Sequence, residues 1–311
     1  MRDGSRLLRV PTVWRAEHTI RSAPLNGSRP GSCRCRRFRE PNPRCESPDG
    51  GTLTFSTRLP RMLCLGDSIG HPSCAGAAAA LSDIFEIASF RVRGKLLNTM
   101  SSRRMRRCAG AWMGSSTVRW RLVAFNAGAW DLSTGHGACC DVGSTTIDTT
   151  VSNLMRVLVS VFLARADLAL WITTTPVPET AACCRRWYAQ PPKLPDAQLT
   201  VGYCNRDAVV QNARVSAALR ALPPHEAARV GIADTASAVN RRCGAHYTDC
   251  EVQPQVRGCN CHFERASYAE LHGPAIAAAA RALAARAGTN LTATRGAAAA
   301  AALPHLPWSV T

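Results

Sequence analysis

The chain has 311 residues, 46% of them hydrophobic, and a formal net charge of +17. That length supports one large domain or two small ones around a substantial core, and no run of 18 or more apolar residues is present to form a transmembrane helix. Lys95 and Lys193 are the only lysines; arginine-borne charge beside alanine runs points to GC-rich codon bias, and without an aromatic-interleaved basic stripe no nucleic-acid partner is expected.

In chain order, residues 1–60 come first, rich in arginine, proline, glycine and serine and carrying five acids (Asp3, Glu17, Glu40, Glu46 and Asp49). They cannot bury enough apolar area to offset their ordering entropy, so they are expected to be a disordered or loosely attached segment, a linker or a targeting arm. Arg61–Leu65 is a short apolar run ending at Gly66-Asp67-Ser68, and Ala75–Ala88 is rich in helix formers: strand, tight turn, helix. A second strand is expected at Leu122–Phe125, running into the loop Asn126–Asp131. Thr150–Ala164 has helical spacing of Val151, Leu154, Leu158, Val161 and Phe162. Leu168–Thr174 is the next buried strand, stopped by Thr175-Pro176-Val177-Pro178. A helix over Arg206–Leu222, a short strand at Arg229–Ala233 and a final helix over Ser267–Ala287 complete the series.

Continuous apolar strands alternating with helices predict a mostly parallel sheet covered on both faces, a three-layer α/β/α flavodoxin-like sandwich. It is expected over residues 61–286, with 287–311 an alanine-rich tail. In such sheets active groups gather at the carboxyl ends of strands. Ser68, Asn126, Asp131 and Thr175 each stand just past a predicted strand.

Fifteen cysteines, an odd number, leave at least one thiol without a partner in the chain. Cys243, Cys250, Cys259 and Cys261 cluster late, and Cys139-Cys140 and Cys183-Cys184 fall in expected loops. Cys259-Asn260-Cys261-His262 has a superficial likeness to a ligand cluster. Zinc sites, however, space their cysteines two to four apart and need a second pair, so disulfides are favoured and no metal is expected. Disulfides imply an oxidising compartment, which leans localisation toward a secretory or organellar setting. The N-terminus lacks the apolar core of a signal peptide; its basic character weakly resembles a transit segment and equally fits a misassigned start. Asn26-Gly27-Ser28 and Asn290-Leu291-Thr292 are formal glycosylation acceptors in the tails and settle nothing.

A serine hydroxyl becomes a useful nucleophile when a base takes its proton. A strand-to-helix turn exposes the side chain and aims helix N-terminal N–H groups at the oxyanion that forms on attack. Ser68 has this setting, although Gly-Asp-Ser alone is a weak signal. Four blocks carry more: Leu65-Gly66-Asp67-Ser68; Phe125-Asn126-Ala127-Gly128-Ala129-Trp130-Asp131-Leu132; Trp171 to Pro178; and Cys259-Asn260-Cys261-His262-Phe263 with Tyr268. In this order the chain resembles the SGNH, or GDSL-type, hydrolases over about residues 61–286.

The resemblance implies Ser68 as nucleophile, with its backbone N–H in the oxyanion hole, and His262 as general base and then acid toward the leaving alcohol. It also marks departures. Cys259 stands where the family keeps the aspartate that orients the base; Asp249, Glu251 and Asp234 are the carboxylates available to replace it. Trp130 stands where the family has an oxyanion-hole asparagine, so Asn126 becomes a candidate donor, or a residue that only caps the loop. The family's separate glycine block has no clear match; Gly110 is a candidate and Gly114 lies in the same interval. The implied activity is hydrolysis of small acyl, acetylated-carbohydrate or lipid esters with no cofactor. The alternative is a catalytically impaired protein of the same fold that binds a glycan or ester ligand. Oligomeric state is undetermined.

Overall fold

The computed structural model describes residues 45, 58–92, 108–114, 118–128, 144–176, 202–243 and 262–288. All of them belong to one unit, Cys35–Thr311.

Five strands form the sheet: β1 (Arg61–Gly66), β2 (Glu86–Arg91), β3 (Trp120–Asn126), β4 (Ala166–Ile172) and β5 (Val230–Ala233). Their order is β2-β1-β3-β4-β5 and every pairing is parallel. Between them run α1 (Gly70–Leu81), α2 (Ser144–Val157), α3 (Gly202–Arg220) and the short α4 (Pro224–Ala227), and after β5 come α5 (Thr235–Cys243) and α6 (Gly273–Arg286). A π-helical turn, Leu158–Phe162, extends α2, and a second, Tyr268–His272, precedes α6.

The central strands are apolar on both faces because both are covered. One face, with Leu63, Leu65, Val123, Phe125 and Trp171, packs against Leu154, Val157 and Phe162 of the α2 region, Val215 and Leu219 of α3, and Trp112. The other, with Met62, Cys64, Leu122, Ala124 and Leu170, packs against Cys74, Ala77 and Leu81 of α1 and Ile276, Ala280 and Leu283 of α6. Burying each large apolar side chain contributes about 1.5–3 kcal/mol. The result is the expected α/β/α sandwich.

Several boundaries differ from expectation. The helix expected over Ala75–Ala88 stops at Leu81, and Glu86–Arg91 is instead β2, the edge strand beside β1. Its alternating, half-exposed residues include Glu86, Ser89 and Arg91, so it has no continuous apolar run to announce it. The second helix starts at Ser144 rather than Thr150, and α5 was not foreseen.

Two disulfides lie among the described residues. Cys64–Cys74 joins β1 to α1, and Cys45–Cys108 ties a residue of the segment expected to be loosely attached to the core. Cys243 is also disulfide-bonded. No described helix is long and apolar enough to cross a membrane.

Candidate active site

The strand order reverses direction between β1 and β3: the chain leaves β1 for β2 on one side and returns to β3 on the other. The carboxyl ends of the strands flanking such a switch point form a natural crevice. Ser68 follows β1 there, and Asn126 ends β3.

The turn carrying Ser68 is built by its neighbours. Asp67 is almost fully buried, and its Oδ1 accepts the N–H groups of Ile69 (2.8 Å) and Gly70 (3.0 Å). It thereby caps the first turn of α1, where no other side-chain cap is present. Gly66 and Gly70 let the strand end and helix start touch: a Cβ on Gly66 would collide with the Gly70 backbone, and one on Gly70 would sit 2.6 Å from Asn126 Cβ. The Ser68 N–H makes no hydrogen bond among the described residues.

His262 comes from the other end of the chain. Its Nε2 lies 2.7 Å from Ser68 Oγ, across 194 positions of sequence. The two sequence candidates are thus in hydrogen-bond reach of each other. Burial holds the His262 imidazole below its usual pKa; the Asp67 charge opposes this and Arg91 reinforces it. Burial pushes the Asp67 carboxyl up, against its two backbone hydrogen bonds and the charges of His262 and Arg91. A neutral His262 is ready to accept the Ser68 proton at neutral pH.

The other candidates are placed differently. Asn126 spends its amide on the sheet: Nδ2 donates to the carbonyls of Ile172 (3.2 Å) and Thr173 (3.4 Å) at the end of the adjoining strand, while Oδ1 is buried without a partner among the described residues. This side chain braces the ends of β3 and β4. Gly110 is held at the opposite, amino end of the sheet, where its carbonyl accepts from Arg165 Nη1 at 2.7 Å just before β4, so it is not brought to Ser68. Asp234 caps α5, its Oδ1 accepting from Ser237 N–H at 3.0 Å. Asp249, Glu251, Cys259, Cys261, Trp130 and Asp131 lie outside the described residues. No group of three potential metal ligands gathers among the described residues.

Residues that sequence reasoning passed over complete the surroundings. Asp67 shapes the turn, and Arg91 and His71 stand near enough for the Arg91 charge to join burial in lowering the His71 pKa. Behind His262, the buried pair Ser73 and His272 is 2.6 Å apart. A Gly-Asp-Ser signature carries no mark of these, since each is an ordinary residue type inside or beside an element.

No family model matches the chain, and no curated protein does. Among solved structures it is similar to a carbohydrate esterase family 2 enzyme with a carbohydrate-binding domain from Corynascus thermopiles (Myceliophthora fergusii), at 16% identity and a TM-score of 0.43, over 76% of this chain and 68% of that one.

Proposed function

We propose that this protein is a serine hydrolase of the SGNH type that cleaves carboxylic esters through an acyl-Ser68 intermediate. The observation that carries the reading is the 2.7 Å contact between Ser68 Oγ and His262 Nε2 at a strand-end turn beside the switch point.

In this reading His262 Nε2 takes the Ser68 proton as Oγ attacks the ester carbonyl. The Ser68 N–H, at the positive end of α1, faces the developing oxyanion. The imidazolium then protonates the leaving alcohol, and the same nitrogen activates the water that releases the acid. Ser68 is the covalent group, His262 the base and acid, and Asp67 the residue that holds the turn. Asp249 and Glu251 are the carboxylates proposed to orient the far side of His262. The chemistry needs no cofactor or metal. The substrate class is a small acyl ester or an acetylated carbohydrate.

A fluorophosphonate probe tests the reading. Ser68 is expected to be labelled, Ser68→Ala to lose all labelling, and His262→Ala to lose on the order of 10⁴–10⁶ in turnover of a short acyl ester. A second reading, an impaired protein that only binds a glycan or ester, draws on Cys259 standing three residues before His262 in place of a carboxylate. Folded wild-type protein whose Ser68 is never modified would decide for that second reading.

A further inference from the structure

The hydrolase reading leaves one buried hydrogen-bonded pair without a task. Ser73, in α1, and His272, the last residue of the π-helical turn before α6, are both buried, with His272 fully so. Ser73 Oγ lies 2.6 Å from the Ile69 carbonyl and 2.6 Å from His272 Nδ1. A carbonyl can only accept, so the single Ser73 proton goes to Ile69 O, and His272 Nδ1 must carry a proton and donate it to Ser73. This fixes the tautomer and leaves Nε2 as a buried acceptor with no partner among the described residues. His272 is therefore a neutral donor aimed at the first turn of α1, the turn that begins two residues after Ser68.

The other side of the ring meets the segment bearing the base. Phe263, joined directly to His262, packs edge-on to His272 with ring centroids 4.7 Å apart, and Tyr268 packs on it at 5.0 Å. The Phe263 N–H donates to Tyr268 Oη at 3.3 Å. The π-helical turn, which adds a residue to the helical repeat, buries both Tyr268 and His272 at its ends. Two glycines permit the approach: a Cβ on Gly76 would strike the Tyr268 carbonyl, and one on Gly273 would strike the Gly76 carbonyl.

We propose that His272 is a positioning residue, which through Ser73 on one side and Phe263 on the other sets the Ser68 hydroxyl and the His262 ring at their hydrogen-bonding separation. This rests on the hydrolase reading for its purpose, but the alignment itself is measurable without turnover.

The test uses the full chain with its disulfides formed. Nitrogen chemical shifts of the His262 ring are followed against pH by NMR, and fluorophosphonate labelling rates are measured in parallel, for wild type, His272→Phe, His272→Asn and Ser73→Ala. An asparagine amide can place an N–H where Nδ1–H was, so His272→Asn is the conservative rescue. His272→Phe and Ser73→Ala are expected to stay folded, to let the His262 titration drift upward toward 6.5 as the pocket loosens, and to label tenfold or more slowly. His272→Asn should stay within about threefold of wild type, the margin of a partly restored bond. Should His272→Phe fail to fold, Ser73→Ala and His272→Asn decide alone. Unchanged titration and labelling in the folded variants would overturn the proposal, as would His272→Asn being as impaired as the variants without the hydrogen bond. If wild type itself is never labelled, the hydrolase reading fails, and the His262 titrations still decide whether His272 positions the pair.

Discussion

At the residue scale, the proposed chemistry turns on the protonation of one imidazole. His262 can accept the Ser68 proton only when neutral, and burial holds its pKa below 6.5 against the opposing charge of Asp67. Activity should therefore rise with pH through a midpoint below 6.5 and be level by neutrality, because further loss of protons from His262 has nothing left to add. A profile of kcat/KM against pH on a short acyl ester measures this, and an acid limb centred above 6.5 would contradict it. That Ser68 and His262 meet was legible because each carries local context in the sequence: an apolar strand running into Gly66-Asp67-Ser68 for one, and a following aromatic and helix for the other. Asn126 shows where that legibility ends. Its place at a strand end can be read, but whether its amide turns toward Ser68 or toward the carbonyls of Ile172 and Thr173 is decided by how two strands pack. Gly110 fails for a similar reason, since its interval in the chain says nothing about which end of the sheet Arg165 pulls it to. His272 could not be singled out at all; a histidine among apolar helix residues reads as core.

Among the elements, the turn that presents Ser68 is held at three levels: the Asp67 cap, the Gly66–Gly70 contact and the Cys64–Cys74 bridge. That bridge closes a loop with a sequence separation of 10, and both cysteines are completely buried. Restricting the unfolded chain over a loop of this size stabilises by about 3 kcal/mol in the chain-entropy treatment. The double replacement Cys64→Ala with Cys74→Ala should lower unfolding stability by at least about that amount, since small cavities add to the loss. Guanidinium denaturation of the oxidised proteins checks it; equal midpoints with equal slopes would show that the bridge contributes nothing. The elements easiest to read were the three central strands, whose burial on both faces leaves unbroken apolar runs. β2 was lost because an edge strand can alternate and carry charge, and residues 77–88 offered no proline or glycine to stop the helical pattern. The π-helical turns were equally invisible, since a one-residue change of repeat leaves the apolar spacing almost intact.

For the whole molecule, arginine does structural work at the amino end of the sheet. Arg229 donates to the carbonyls of Leu163, Ala166 and Asp167, Arg165 to those of Gly110 and Gly114, and Arg119 and Arg121 both pair with Asp167. These contacts account for part of the basic balance without a polyanionic partner. The opposite end of the sandwich depends on a group that must stay uncharged. Burial lowers the His272 pKa from 6.5 to about 4, and its neighbours Ser73, Phe263 and Tyr268 bear no charge to compensate a proton there. Above pH 6.5 the folded and unfolded chains both hold His272 neutral, and its contribution to stability is complete. Between 6.5 and about 4 the unfolded chain takes up a proton that the folded one refuses, so stability falls with pH; below about 4 both are protonated and the loss stops growing. The total is about 3 kcal/mol, from a shift of roughly two and a half units at 1.36 kcal/mol each. His262 and His71 shift in the same direction and add to the acid sensitivity of wild type. They remain in His272→Asn, which removes the buried titrating group alone. Denaturant unfolding at pH 7 and pH 4 should therefore show a smaller stability difference for His272→Asn than for wild type, by about 3 kcal/mol. Equal differences in the two proteins would mean that His272 takes up its proton in the folded state as readily as in the unfolded one, against its burial between the first turn of α1 and the aromatic pair.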